Sequence, residues 1–177
     1  MSVDLKSLVR SIPDYPKPGI LFRDITTLIE DPAGFRESCE RLAEAHRGLG
    51  ITHVAGIEAR GFIFGAAVAI ELGVGFVPIR KRGKLPGTTL GQNYVLEYGV
   101  DTIEIHADVL SSVHKVLLID DLIATGGTAL AAVALLRRTG AVCEHAGFVI
   151  DLIDLGGAEK LRAMSVDVFK LIDFPGH

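Results

Sequence analysis

The sequence predicts an α/β fold built on a mostly parallel, twisted sheet flanked by helices. Three observations carry this expectation. Strand-like apolar runs alternate with helical patterns along most of the chain, as in βα units. The hydrophobic fraction is 49%, which suits strands buried on both faces. A glycine-rich loop stands between the strongest apolar run and a helical pattern, where open α/β sheets bind ligands. At 177 residues the chain fits one domain with a full core.

The elements follow in order. Leu5, Leu8, Val9 and Ile12 suggest a short amphipathic helix. Asp31-Pro32 opens a helix with N-cap and N1 chemistry; Phe35, Cys39, Leu42 and Ala43 give its apolar face, and Gly48 to Gly50 ends it. His53 to Ile57 reads as a strand, Gly61 to Leu72 as a helix and Val74 to Ile79 as a strand. The stretch Arg80 to Ile105 breaks the alternation and turns strand-like at Tyr94 to Glu97 and Thr102 to His106. A strand at Val116 to Ile119 leads through the loop to a helix at Ala129 to Arg138, closed by Gly140. A strand at Ala146 to Asp151, a helix near Ala158 to Ala163 and a strand at Val166 to Leu171 complete the pattern.

Bulk properties exclude several classes. No apolar run approaches the ~20 residues that span a bilayer. The N-terminus lacks a signal-peptide core. Cys39 and Cys143 lie far apart and read as buried free thiols in a reducing compartment. The net charge of −4, without a long basic run, argues against nucleic acid as the main partner.

Four segments carry chemistry. In VLLIDDLIATGGTA, Val116 to Ala129, the apolar run ends in Asp120 and Asp121 before Thr125, Gly126, Gly127 and Thr128. Backbone N–H groups at a helix start favour a phosphate, and glycines allow it close. The carboxylates can accept from sugar hydroxyls or help hold a divalent metal. The segment thus offers grips for both ends of a ribose 5-phosphate, and it lacks the lysine of a P-loop. Gly56-Ile57-Glu58-Ala59-Arg60-Gly61 is either an ordinary βα turn or a site for pyrophosphate. Arg80, Lys81, Arg82 and Lys84 are four cations in five residues; they form either a solvated loop or a hinged lid for a polyphosphate. Phe22, on a loop framed by Pro16, Pro18 and Gly19, can stack on a flat heterocycle or serve as core.

These segments resemble the type I phosphoribosyltransferases, and nearly end to end the adenine phosphoribosyltransferase family among them. The pieces that match are PKPGILFRDIT, GIEARGFIFG, RKRGKLPG, YVLEYG, EIH and IDDLIATGGT. The resemblance implies the type I fold as a single domain over 1–177, with a small N-terminal hood over about 1–30 and a mobile hairpin lid over about 80–106. It implies transfer of the phosphoribosyl group of phosphoribosyl pyrophosphate to adenine, giving AMP and pyrophosphate with magnesium. A cytoplasmic homodimer, without nucleic acid or membrane, goes with it.

By the same resemblance, Asp120 and Asp121 contact the ribose hydroxyls, and Ala124, Thr125, Gly126, Gly127 and Thr128 wrap the 5′-phosphate. Glu58 and Ala59, through a backbone that is often cis between them, hold pyrophosphate with Arg60, Lys81 and Lys84. Phe22 and Leu152 sandwich adenine while backbone groups at Leu21 and Arg23 read its edge. Glu104 faces the purine imidazole and, with Arg60, is the candidate for catalysis. Magnesium is held mainly by substrate and water. Enzymes for 6-oxopurines usually show Glu-Asp in place of Asp120-Asp121 and an acid in place of Ala124. The rival readings are a phosphoribosyltransferase for xanthine or hypoxanthine, and a non-catalytic sensor of the same ligand.

Overall fold

A computed structural model describes residues 2–96 and 98–176. The N-terminus forms a single 3-10 turn, Leu5–Leu8, and then strand β1, Arg10–Ile12, which pairs antiparallel with β2, Phe22–Asp24. The continuous amphipathic helix expected here is therefore replaced by a turn and a small hairpin. Pro13 removes a donor and pushes Ile12 toward extended backbone, while Leu5 and Val9 still reach the core.

Helix α1, Thr26–Glu30, leads to α2, Pro32–Glu44, whose N-cap Asp31 accepts from the Gly34 N–H at 2.7 Å. Helix α2 stops before Gly48, which takes a left-handed φ of +78° in the turn that follows. Then come β3, His53–Ile57; α3, Arg60–Leu72; β4, Gly75–Lys81; β5, Thr89–Leu96; and β6, Gly99–His106. The last elements are β7, Lys115–Ile123; α4, Gly127–Arg138; β8, Val142–Leu152; α5, Gly157–Ala163; and β9, Asp167–Phe174. Glu97, part of an expected strand and of the YVLEYG motif, lies outside the described residues.

The main sheet has seven strands in the order β5-β6-β4-β3-β7-β8-β9. The five strands from β4 to β9 in that order pair in parallel; β6 joins β4, and β5 joins β6, antiparallel. The irregular stretch after β4 is thus a long hairpin that extends the sheet edge. Successive residues of β7 feed opposite faces. Val116 and Leu118 pack in one core with Ala132 and Leu136 of α4. Leu117 and Ile119 pack in the other with Leu42 of α2 and Phe64 and Val68 of α3. This double burial fixes the height of β7 and so the place of its carboxyl end. No described helix is long and apolar enough to cross a membrane.

Within the hood, Asp24 ties β1 to the start of α1. Its carboxylate accepts from the Thr26 N–H at 3.0 Å and from Arg10. These bonds, the Thr26 N–H first, lower its pKa from 3.8 to about 2. A depressed carboxylate pKa stabilises the fold fully above the unfolded value and loses that effect as pH falls through the folded value. Asp24→Asn is expected to destabilise by ~1–2 kcal/mol near neutral pH, a range kept low because Arg10 is exposed. The gap in melting temperature from wild type should close as pH drops from 3.8 to about 2. A gap independent of pH would assign the loss to packing.

Candidate active site

The functional segments meet along the carboxyl ends of β3, β4 and β7. Strand β7 continues through Asp120 and Asp121 to Ile123, so the acids belong to the strand end rather than to a turn. Asp120 is half-buried; its Oδ1 accepts from the Asp121 N–H at 2.8 Å. Burial first, and then the Asp121 charge, raises the Asp120 pKa well above the ordinary carboxylate range. A Cβ on Gly61 would come within 2.7 Å of Asp120 Oδ1, so only glycine lets α3 start this close to the acid. Asp121 is buried and pairs with the Arg60 guanidinium.

Beyond β7, Gly126 takes φ +88° and α4 begins at Gly127 with no side-chain cap. The Gly126 carbonyl accepts the first helical bond, from Leu130 N–H, at 2.8 Å. The N–H groups at the start of α4 are therefore left for an anion. Ala124 to Thr128, with Asp120, line a cavity of about 280 Å³.

A larger cavity of about 680 Å³ adjoins it and shares Tyr94, Leu96, Asp120, Leu122 and Thr128 with it. Glu58, Ala59, Arg60, Lys81 and Lys84 line its other side. The Glu58–Ala59 peptide is cis. The Glu58 carboxylate is turned to the lid, accepting from Lys81 N–H at 3.0 Å and Arg80 Nε at 3.3 Å. These bonds, the Lys81 N–H first, lower its pKa. Every residue expected to grip ribose, 5′-phosphate and pyrophosphate thus lines one of two adjoining cavities.

The residues expected around the base are placed differently. Leu21, Phe22, Arg23 and Leu152 line neither cavity. Phe22 meets the Tyr15 ring edge-on at 5.1 Å within the hood. The Arg23 guanidinium lies 4.2 Å from the centre of the Phe174 ring, and Phe174 is the register partner of Leu152. That contact brings Arg23 of the hood strand to the end of β9, beside Leu152 at the end of β8.

Glu104 is not brought to the cavities. It sits between Ile103 and Ile105, both turned into the core, so the alternation of β6 sends it to the opposite face. Its carboxylate accepts from the Gly83 N–H at 3.2 Å, which holds the turn of the lid.

Three residues that sequence reasoning passed over belong to this region. Tyr94 lines both cavities and donates from Oη to Asp101 at 3.1 Å. Gly157 N–H donates to the Ala124 carbonyl at 3.1 Å, and Lys160 Nζ to the Thr125 carbonyl at 2.9 Å. Tyr94 was visible as an apolar-face position of its strand. The Gly156-Gly157 pair was the only local hint of the other contacts.

Residues 26–176 match the family model of the phosphoribosyl transferase domain. The adenine phosphoribosyltransferase of Methylobacterium nodulans is 61% identical over 173 residues, covering 98% of this chain and 96% of that protein. The crystal structure of the enzyme of that name from Thermoanaerobacter pseudethanolicus aligns with TM-score 0.91 and 46% identity, covering 97% of this chain and 98% of that one. The Trypanosoma brucei adenine phosphoribosyltransferase, in complex with AMP, pyrophosphate and ribose-5-phosphate, aligns with TM-score 0.87 and 28% identity, over 96% of this chain and 77% of that one. The seven-stranded sheet, the edge hairpin and the loop after β7 are thus those of the type I phosphoribosyltransferase fold, and the chain belongs to the adenine phosphoribosyltransferase family.

Proposed function

We propose that this family activity, phosphoribosyl transfer from phosphoribosyl pyrophosphate to adenine, is carried out by the two adjoining cavities acting as one site. The observation that supports it most is their sharing of Asp120 and Thr128. A ligand gripped at the ribose can then reach the start of α4 with its 5′-phosphate and Arg60, Lys81 and Lys84 with its pyrophosphate. The relative crystallised with AMP, pyrophosphate and ribose-5-phosphate holds that set of chemical groups.

Bond breaking at C1′ releases pyrophosphate and leaves an oxocarbenium-like sugar. Cations at the pyrophosphate end stabilise the departing charge, which forms only as the bond breaks. Adenine N9 then bonds to C1′ from the opposite face, and its imidazole proton passes to solvent. Asp121, paired with Arg60, keeps the ribose hydroxyls in register during this displacement. The hairpin lid, about 80–106, closes over the diphosphate. Glu104 steadies the base of that lid through Gly83.

Magnesium fits the site as a companion of the substrate. Among the described residues no group of three or more His, Cys, Asp or Glu is placed to hold a metal ion. Asp120 and Asp121 would meet a hydrated cation already chelated by diphosphate oxygens, a hard-oxygen environment. When bound, it supplies Lewis-acid neutralisation of the leaving group. The assembly fitting this reading is a cytoplasmic homodimer.

The test is AMP formation from adenine and phosphoribosyl pyrophosphate with magnesium, and again after exhaustive chelation. AMP and pyrophosphate in equal amounts are expected, with turnover lost on chelation and restored by added magnesium. Full turnover without divalent cation would remove the metal from the proposal, and no AMP under either condition would remove the activity.

A further inference from the structure

The loop from Ala124 to Thr128 is held from behind by α5. The Ala124 carbonyl accepts from the Gly157 N–H at 3.1 Å, and the next carbonyl, of Thr125, accepts from Lys160 Nζ at 2.9 Å. Cis peptides among the described residues occur only at Tyr15–Pro16 and Glu58–Ala59, so both of these peptide units are trans. In a trans unit the C=O and the following N–H point in opposite directions. Pinning two successive carbonyls toward α5 therefore turns the N–H groups of Thr125 and Gly126 away from α5. The cavity that this loop lines is open to them there.

The approach of α5 is close. A Cβ on Gly157 would lie 2.4 Å from the Ala124 oxygen, and a Cβ on Gly126 would lie 2.9 Å from the Gly157 Cα. Two glycines back to back let the loop and the start of α5 share this space. The helix does not need Lys160 to dock, because Ala158 and Leu161 anchor it in the core. Lys160 itself is exposed, and its ammonium is committed to the loop rather than to packing.

We propose that Lys160 is a positioning residue for phosphoryl binding: by holding the Thr125 carbonyl it presets the backbone N–H groups that receive the 5′-phosphate monoester. This rests on reading Ala124 to Thr128 as the 5′-phosphate loop. The contribution is preorganisation, since the peptide is oriented before the ligand arrives.

The variants Lys160→Met, Lys160→Gln and Lys160→Arg separate donor from charge. Titration calorimetry with ribose 5-phosphate, and with adenosine as a phosphate-free control, reads the effect. Lys160→Met is expected to weaken ribose 5-phosphate roughly tenfold, the scale of one charge-assisted hydrogen bond, and to leave adenosine binding and the melting temperature unchanged. Lys160→Gln should fall between, and Lys160→Arg should recover most of the affinity. Wild-type ribose 5-phosphate affinity in Lys160→Met would overturn the proposal. So would an equal loss for adenosine, or a loss accompanied by a lowered melting temperature that arginine does not rescue. Thr128→Val, measured in parallel, separates the two levels. If it weakens ribose 5-phosphate while Lys160→Met does not, only the role of Lys160 fails; if neither variant has an effect, the phosphate-loop reading fails as well.

Discussion

Asp121→Asn is expected to lower kcat/KM for phosphoribosyl pyrophosphate tens-fold or more while the protein stays folded. Asp121 is 7% exposed at the end of a strand locked between two cores. The substitution keeps shape but removes the charge that Arg60 answers. Hydrogen bonds to a charged group contribute ~1.5–3 kcal/mol each, and a lost bond to a ribose hydroxyl alone accounts for a tens-fold effect. Arg60 keeps 55% of its side chain exposed, so water can take over its solvation and the cost in stability stays small. Asp120→Asn should be milder. The Asp120 Oδ1 already accepts the Asp121 N–H at 2.8 Å, a bond that an asparagine Oδ1 can still accept. Steady-state kinetics with thermal melts decide this. Wild-type kinetics in both variants would reduce the two acids to a strand ending.

Adenine is expected to be preferred over hypoxanthine and guanine by hundreds-fold or more in kcat/KM. Adenine donates at N6 and accepts at N1, whereas hypoxanthine accepts at O6 and donates at N1. Backbone groups at Leu21 and Arg23 that read the edge of the base can match one pattern only. Each buried mismatch costs ~1–3 kcal/mol, and two suffice for this preference. Ala124 adds to it by leaving no carboxylate in the phosphate loop that could serve the imidazole. Initial rates with each base, at saturating phosphoribosyl pyrophosphate and magnesium, give the ratio. Comparable values for adenine and a 6-oxopurine would contradict the hood as the reader of the base, and xanthine belongs in the same series because an Asp-Asp pair is compatible with it.

The sheet and the glycine-rich loop after β7 were legible because their signals are local. An apolar run buried on both faces, an acidic end and a glycine-rich start of a helix each occupy a few adjacent residues between Val116 and Ala129. Strand ends were read short. β7 runs on through Asp120 to Ile123, and β8 starts at Val142, four residues before Ala146; polar residues at strand ends break the apolar run without breaking the ladder. The N-terminal segment was misread because Leu5, Leu8, Val9 and Ile12 fit a helical period, whereas pairing of Arg10–Ile12 with Phe22–Asp24 decides the backbone. The side of β6 that Glu104 takes, away from the two cavities, was readable from the alternation of Ile103 and Ile105. Lys160 was invisible because its partner is 35 residues away.

A structure of the protein with AMP and pyrophosphate bound tests the central claim, that the two cavities and the hood form one site. The expected result places phosphate oxygens on the backbone N–H groups of Thr125 to Thr128 and ribose hydroxyls on Asp120 and Asp121. Pyrophosphate should lie against Ala59, Arg60 and Lys81, with adenine between Phe22 and Leu152. A nucleotide whose phosphate lies away from the start of α4, or whose base lies away from the hood, would contradict it.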